Sequence, residues 1–382
     1  MMKGFPRPDY GQLRAYAPDQ SPVEVDLSDN TNLRGPHPEA AEALQGTLGS
    51  VVSRYPSAYA EAFRSAVAER FEVPQDCVTT GCGSDALIDE GLRAAGGGGG
   101  LIAFPSPTFV MVEAFARLNG LVPAPVRWDE ALSDPLRLLR DDPCAVYICS
   151  PNNPTGAEFD FAAVRTVLAA VGPKGPPVFL DEAYADFAGR SMIQEAAASD
   201  RLVVLRTMSK AYGLAGLRAG FAVGAPAVIA EMEKSRGPYK VSRLADPAAA
   251  AAVRDRSGWL AGIVAELVEN RERLRAELVS RGYDPLPSAA NFLLVRPPGT
   301  GSALELTEQL RARGVGVRAF PSLEGVGDAI RVSVAPWDLM ERFLQALDDC
   351  PAIEVPSTAQ DAAAAAPIVS PIVPPEEGQD GG

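Results

Sequence analysis

Three runs, "AVYICS" (145–150), "PVFL" (177–180) and "LVVLRT" (202–207), are apolar almost throughout, alternate with helical patterns, and stop abruptly in polar residues. A strand that is apolar on both faces needs cover on both faces, and helices between successive strands supply it. The pattern predicts an α/β architecture, a large domain with a mostly parallel mixed sheet between helices. Earlier in the chain, helical patterns span 38–48 and 59–71, and "CVTTG" runs as a strand into "GCGSD" and a helix over 86–94. "LIAF" is a strand stopped by "PSPT", a helix covers 161–170, and "AGFAVG" is a further strand. After about Glu231 the character changes. A long helix over 257–281, strand 291–296, helix 303–313, strands "GVGVRAF" and 329–335, and a helix over 336–348 predict a smaller α+β domain. The expected division is an arm (1–32) broken by Pro6, Pro8, Pro18 and Pro22, a large domain (33–235), a small domain (236–350) and a tail (351–382). The tail is alanine-, proline- and acid-biased and reads as disordered.

Composition removes whole classes of chemistry. With 35 Lys+Arg against 49 Asp+Glu, a net charge of −14 argues against nucleic-acid partners and anionic membrane surfaces. No basic-then-apolar leader and no apolar run of bilayer length is present, so the expectation is a soluble, cytoplasmic chain. Five cysteines without a C-x-x-C pair read as small buried side chains in a reducing compartment. His37 is the sole histidine, which excludes a multi-histidine zinc site and argues against a Ser-His-Asp triad. No metal is expected, and the chemistry must rest on lysine, carboxylates, tyrosine or a borrowed cofactor.

In open α/β sheets, ligands bind beyond the carboxyl ends of the strands, and the unusual residues fall there. After "CVTTG", Gly81-Cys82-Gly83-Ser84-Asp85 opens directly into a helix, offering backbone N–H groups and a positive dipole end to an anion. After "AVYICS" comes "PNNPTG" with Asn153; after "PVFL" come Asp181 and Tyr184; after "LVVLRT" come Ser209 and Lys210, with Arg218 eight positions on. "GCGSDA" formally matches G-x-G-x-x-A, but the next strand ends in "PSPT" rather than the acidic residue of a dinucleotide site. Singly, each residue also reads as a turn, a cap or a surface cation. Together, in order and at strand ends, they point to one functional site.

The segments "SPNNPTG", "FLDEAYADF", "RTMSKAYGLAGLRAGF", "GSD", "RYP" and "AIRVSVA" resemble the fold-type I pyridoxal-phosphate aminotransferases, and within them most closely the histidinol-phosphate aminotransferase branch. The resemblance runs from about Tyr16 to Leu347. It implies pyridoxal 5'-phosphate as cofactor, with Lys210 as covalent anchor and proton carrier, its pKa lowered by Arg218 and low solvation. It also implies Asp181 behind the pyridine nitrogen, and Asn153 and Tyr184 on the phenolic oxygen. Gly83, Ser84 and the backbone N–H of Asp85, with Thr207, Ser209 and Arg218, would form a phosphate cup, and Phe109 would stack on the ring or be plain core. The family is homodimeric with shared sites, which gives Tyr55 the role of reaching the neighbour's cofactor phosphate.

On the substrate side, an arginine flanked by Ile and Val in a strand is costly unless it meets an anion. Arg331 and Arg318, thirteen residues apart, match the pair that in this branch serves the anionic groups of both substrates; a structural ion pair is the alternative for each. By the same resemblance the arm contributes to the small domain and the substrate site through Tyr16 and Asn32. The implied reactants are histidinol phosphate as amino donor and 2-oxoglutarate, a 2-oxo acid, as acceptor. Two departures leave the donor open: Arg34 stands where the branch has an aromatic, and Lys240 and Ser242 stand where it commonly has asparagines. An aromatic amino-acid aminotransferase or a threonine-phosphate decarboxylase would use the same arginines. A non-catalytic pyridoxal-phosphate-binding regulator would need a DNA-binding domain ahead of the fold, where about thirty irregular residues stand.

Overall fold

A computed structural model describes residues 10, 13, 21–47, 50–299 and 301–351. Apart from Pro351, the tail expected to be disordered therefore lies outside the described residues, as does most of the arm before Ser21. The first strand, β1 (Val25–Asp26), is followed by the strands of the large sheet: β2 (Val78–Gly81), β3 (Leu101–Ser106), β4 (Val122–Arg127), β5 (Ala145–Cys149), β6 (Val178–Asp181), β7 (Leu202–Thr207) and β8 (Gly220–Val223). Then come β9 (Asp284–Pro285), β10 (Phe292–Arg296), β11 (Val315–Gly316), β12 (Arg318–Leu323) and β13 (Gly327–Ser333).

The large sheet has the order β2-β8-β7-β6-β5-β3-β4, and all its strands run in one direction except β8, which is antiparallel to both neighbours. The apolar runs explain the layering. Val146, Ile148, Val178, Leu180, Leu202 and Val204 face one packed layer, while Tyr147, Phe179, Val203 and Leu205 face the other. Period-two alternation with both faces apolar is what a sandwiched strand requires. Each such fully buried Val, Leu or Phe contributes about 1.5–3 kcal/mol relative to exposure. Because the six co-directional strands share a carboxyl edge, Gly81, Thr207, Asp181, Cys149 and Ser106 end up at one side of the sheet, with Gly220 of β8 joining them through its register with Gly81 and Thr207.

The smaller unit is a four-stranded antiparallel sheet, β12-β13-β10-β9, with helices Trp259–Ser280, Ala303–Ala312 and Trp337–Asp348. The run "GVGVRAF", expected as one strand, divides in two: β11 pairs in parallel with β1, and β12 pairs with β13. The arm is thereby stitched to the small domain at Val25↔Val315 and Asp26↔Gly316. Two helices, Pro226–Arg236 and Ala245–Arg254, lie where the sequence gives no clear helical periodicity. The second is alanine-rich on nearly every side, and its small side chains allow close approach. It packs on the large-domain helix Glu61–Phe71, with the Phe63 N–H donating to Asp246 Oδ1 at 2.8 Å, so large-domain packing continues past the expected boundary at 235.

Candidate active site

Every residue at the carboxyl edge of the large sheet has its position set by where its strand runs out. Asp181 closes β6 and is buried; its Oδ2 accepts from the Tyr147 hydroxyl at 2.7 Å and its Oδ1 from the Ala183 N–H at 3.0 Å. Burial pushes this carboxyl up from 3.8 to about 6, and those two hydrogen bonds pull it only partly back. Among the described residues no cation pairs with this carboxylate, and a protonated ring nitrogen would supply one.

Lys210, half-buried, lies three residues beyond the end of β7. Its Nζ donates to the backbone oxygen of Asp29 at 2.7 Å and stands 5.9 Å from the centroid of the Tyr184 ring. Although its tip remains partly accessible, the protein packed around it desolvates the amine and lowers its pKa from 10.5 to about 8. Burial is the largest cause, and the leading charged neighbour is Arg331, ahead of Arg218, which the sequence had singled out. Tyr184 is buried three residues after Asp181, its hydroxyl accepting from Asn30 Nδ2 at 3.0 Å. Burial raises its pKa and Arg331 opposes that rise.

The expected phosphate cup is built from two loops in contact. The helix Gly83–Ala95 begins at Cys82 with no side-chain cap, leaving its first N–H groups to an outside acceptor. Gly83 has φ +80°, and a Cβ there would stand 2.8 Å from Arg218 Nη2. A Cβ on Gly220 would lie 2.6 Å from the carbonyl carbon of Gly83 and 2.7 Å from the nitrogen of Ser84. Arg218, itself at φ 51°, donates to Asp85 Oδ2 at 3.1 Å, so the Asp85 side chain orients the guanidinium. Thr207 Oγ1 donates to Ser209 Oγ at 3.0 Å and accepts the Ser209 N–H at 3.2 Å, holding both hydroxyls in one turn. An uncapped helix start, a guanidinium and paired hydroxyls suit a phosphate monoester. With Lys210 and Asp181 on the same edge, this donor set fits pyridoxal phosphate.

The substrate side converges from the small domain. Arg331 on β13 and Arg318 on β12 are direct cross-strand partners. Their register puts two arginines on one face of the small sheet, where a shared anion would be well received. Arg331 is buried between the Phe292 and Phe320 rings, at 5.4 and 5.6 Å from their centroids. It donates through Nη1 to Asn153 Oδ1 and through Nη2 to the Ser28 backbone oxygen at 2.7 Å. Of the two asparagines in "PNNPTG", Asn152 is tied to Pro107, Thr108 and Thr155, while Asn153 meets Arg331.

Phe109 is half-buried against the core layer beneath the helix Gly83–Ala95. Asn32 turns both polar ends onto backbone, donating to Ala211 O at 2.9 Å and accepting from the Arg34 N–H at 3.0 Å. Tyr55 is 79% exposed and stacks on Tyr239 at 5.0 Å between centroids. Tyr16 lies outside the described residues. Among the described residues no cluster of His, Cys, Asp and Glu could hold a metal, and no helix is long and apolar enough to cross a membrane. A cavity of about 750 Å³ opens at the opposite sheet edge, near Cys144, Phe179 and Arg201, and contains none of the residues above.

Sequence reasoning missed Asn30, Tyr147 and the backbone of Asp29. Tyr147 had a signal, since a hydroxyl inside an apolar strand must find a partner. Asn30 and Asp29 had none, because "DNTN" reads as any polar turn.

The family described as Aminotransferase class I and II matches residues 22–347. The chain is 32% identical to the histidinol-phosphate aminotransferase of Pseudomonas putida, covering 91% of this chain and 100% of that protein. It is 35% identical to that of Methylibium petroleiphilum, covering 90% and 94%. Its fold is similar to the crystal structure of histidinol-phosphate aminotransferase from Sinorhizobium meliloti in complex with pyridoxal-5'-phosphate, with a TM-score of 0.80 and 24% identity over 92% of this chain and 99% of that one. It is similar as well to L-threonine-O-3-phosphate decarboxylase from Porphyromonas gingivalis, with a TM-score of 0.73 and 22% identity over 85% and 98%.

Proposed function

This chain belongs to the aminotransferase class I and II family, and on that premise we propose that it is a pyridoxal-phosphate-dependent transaminase of histidinol phosphate, with 2-oxoglutarate as acceptor, in histidine biosynthesis. The observation that carries the substrate class is the cross-strand Arg318–Arg331 pair on the side of the site that holds Lys210 and Asn153. Paired guanidiniums suit a phosphate-bearing donor in one half-reaction and a dicarboxylate acceptor in the other.

When bound, pyridoxal phosphate supplies the electron sink for the charge left on the substrate α-carbon. The chain's residues do the rest. Ser84, Thr207, Ser209, Arg218 and the N–H groups from Gly83 to Asp85 would hold the phosphate, and Phe109 would cover a ring face. Asp181 holds a proton at the ring nitrogen, supported in its orientation by Tyr147. Asn153 and Tyr184 hold the phenolic oxygen. Lys210 would anchor the cofactor and take the α-proton of the substrate; a pKa of about 8 leaves a useful neutral fraction near neutrality. Arg331 and Arg318 orient the substrate anion. Tyr16 and Asn32 complete the substrate side in this reading, Asn32 by shaping the turn that carries Asp29 and Asn30.

We further propose a cytoplasmic homodimer in which Tyr55 of each protomer reaches its partner's cofactor phosphate. The exposed Tyr55–Tyr239 stack supports the dimer, and five cysteines without a disulfide support a reducing compartment. The deciding experiment mixes holoenzyme separately with histidinol phosphate, phenylalanine and phosphothreonine and follows cofactor absorbance for conversion to the amine form. Rapid conversion by histidinol phosphate is expected. Conversion by phenylalanine alone, or carbon dioxide released from phosphothreonine, would replace the proposed donor.

A further inference from the structure

Asn30 takes part in more of the site than its place in a polar turn indicates. It is 1% exposed and holds φ 59°, a left-handed conformation that Asn tolerates better than most side chains. Its Nδ2 donates to the Tyr184 hydroxyl at 3.0 Å, while its Oδ1 lies 3.2 Å from Ser333 Oγ, whose single proton has a shorter path to the Leu27 carbonyl at 2.8 Å. Its backbone is fixed by the same neighbours. The Asn30 N–H donates to Ser333 Oγ at 2.9 Å, and its carbonyl accepts from Asn291 Nδ2 at 3.0 Å. Asn291 directly precedes β10, and Ser333 closes β13, the strand that carries Arg331.

Hydrogen-bond direction is the consequence. A tyrosine hydroxyl has one proton to give. If Asn30 donates to its oxygen, that proton remains for another acceptor; if Asn30 accepted instead, the proton would be spent inside the protein. Resting on the proposed cofactor site, we propose that Asn30 is a positioning residue: it donates to Tyr184 so that the tyrosine's own proton is aimed at the cofactor's phenolic oxygen, and through Ser333 it ties that aim to the strand that carries Arg331. The small-domain strand thus touches both groups that would flank the phenolic oxygen, Asn153 through Arg331 and Tyr184 through Asn30, whose backbone N–H is held by Ser333.

The test is the pH titration of the visible band of the lysine-held cofactor, which reads the proton affinity of the conjugated system rather than turnover. Donation from Tyr184 stabilises the unprotonated form, so losing it raises the transition. Asn30→Asp keeps the left-handed backbone and an acceptor oxygen but cannot donate, and it recruits the Tyr184 proton to itself. N30D is expected to move the transition upward by about one pH unit, a tenfold change in proton affinity, in the same direction as Y184F. In the Y184F background N30D should then add nothing. Lys210, Arg331 and Asp181, the charged groups facing this hydroxyl, are unchanged throughout. A wild-type transition in N30D would overturn the proposal, as would a shift of equal size in the Y184F background, which would mark a plain charge effect. Should N30D fail to hold cofactor, Asn30→Gly, which also fits φ 59°, carries the same comparison with a smaller upward shift, again absent without Tyr184. Wild-type protein that forms no such band would instead remove the cofactor site itself.

Discussion

At the scale of single residues, Asp181 makes a prediction that needs no substrate. Its folded-state pKa is raised, so the folded apoprotein holds the proton more tightly than the unfolded chain. That contribution is fully present below the unfolded value near 4 and is lost as pH rises through about 6. Urea unfolding of the apoprotein should show stability falling over this window by up to about 3 kcal/mol, a step absent from D181N. Parallel curves for the two proteins would contradict the burial argument. With cofactor the sign of the preference changes, because a cationic ring nitrogen favours the carboxylate; D181N holoenzyme should lose roughly 10²–10³-fold in kcat. Arg331 gives a second prediction. Lysine keeps the charge but not the fork that reaches Asn153 and Ser28 together, so R331K should lower kcat/KM by about a hundredfold, chiefly through KM. Lys210, Asp181, Asn153 and Arg331 were legible in the sequence because each interrupts an apolar run, ends one or follows within a few residues of its end. Asn30 was not, since its importance arises from neighbours 154 and 303 positions away.

Among the elements, β8 and the start of helix Gly83–Ala95 meet in a close backbone contact within the candidate cofactor site. A methyl group on Gly220 meets backbone of Gly83 and Ser84, which cannot rotate aside, whereas one on Gly83 meets the movable end of Arg218 but must also hold φ +80°. G220A should therefore weaken cofactor binding more than tenfold by displacing the N–H groups at the helix start. Equilibrium fluorescence of the bound cofactor would measure it. This loop was legible through its glycines, and the central strands through their apolar continuity. The reversed direction of β8 was not readable, because an apolar run carries no sign of which way its neighbours point. Helix Ala245–Arg254 escaped for a related reason: a segment that is small on all sides has no polar face to mark its period.

For the whole molecule, the prediction concerns shared sites. If Tyr55 serves the partner's phosphate, K210A and Y55A each damage both sites of their own homodimer. A mixed dimer then contains one site with Lys210 from one protomer and Tyr55 from the other, both intact. Co-expressed and purified through two tags, it should recover close to half the wild-type turnover per dimer. Recovery no better than the Y55A homodimer would place Tyr55 in its own protomer's surface chemistry.

The stitching of β1 to β11, with Asn30 seated on Ser333, has a further consequence for how the protein comes into being. The chain's early segment leaves the ribosome long before the strands that receive it. Until residue 333 has emerged, Asp29 and Asn30 have no fixed place, and Lys210 and Tyr184 lack the partners that hold them. The large sheet can form during synthesis from contacts between near neighbours. On the proposed function, competence comes only with the last strand, so a nascent chain truncated after the large domain would carry Lys210 without the Asp29 contact that holds it.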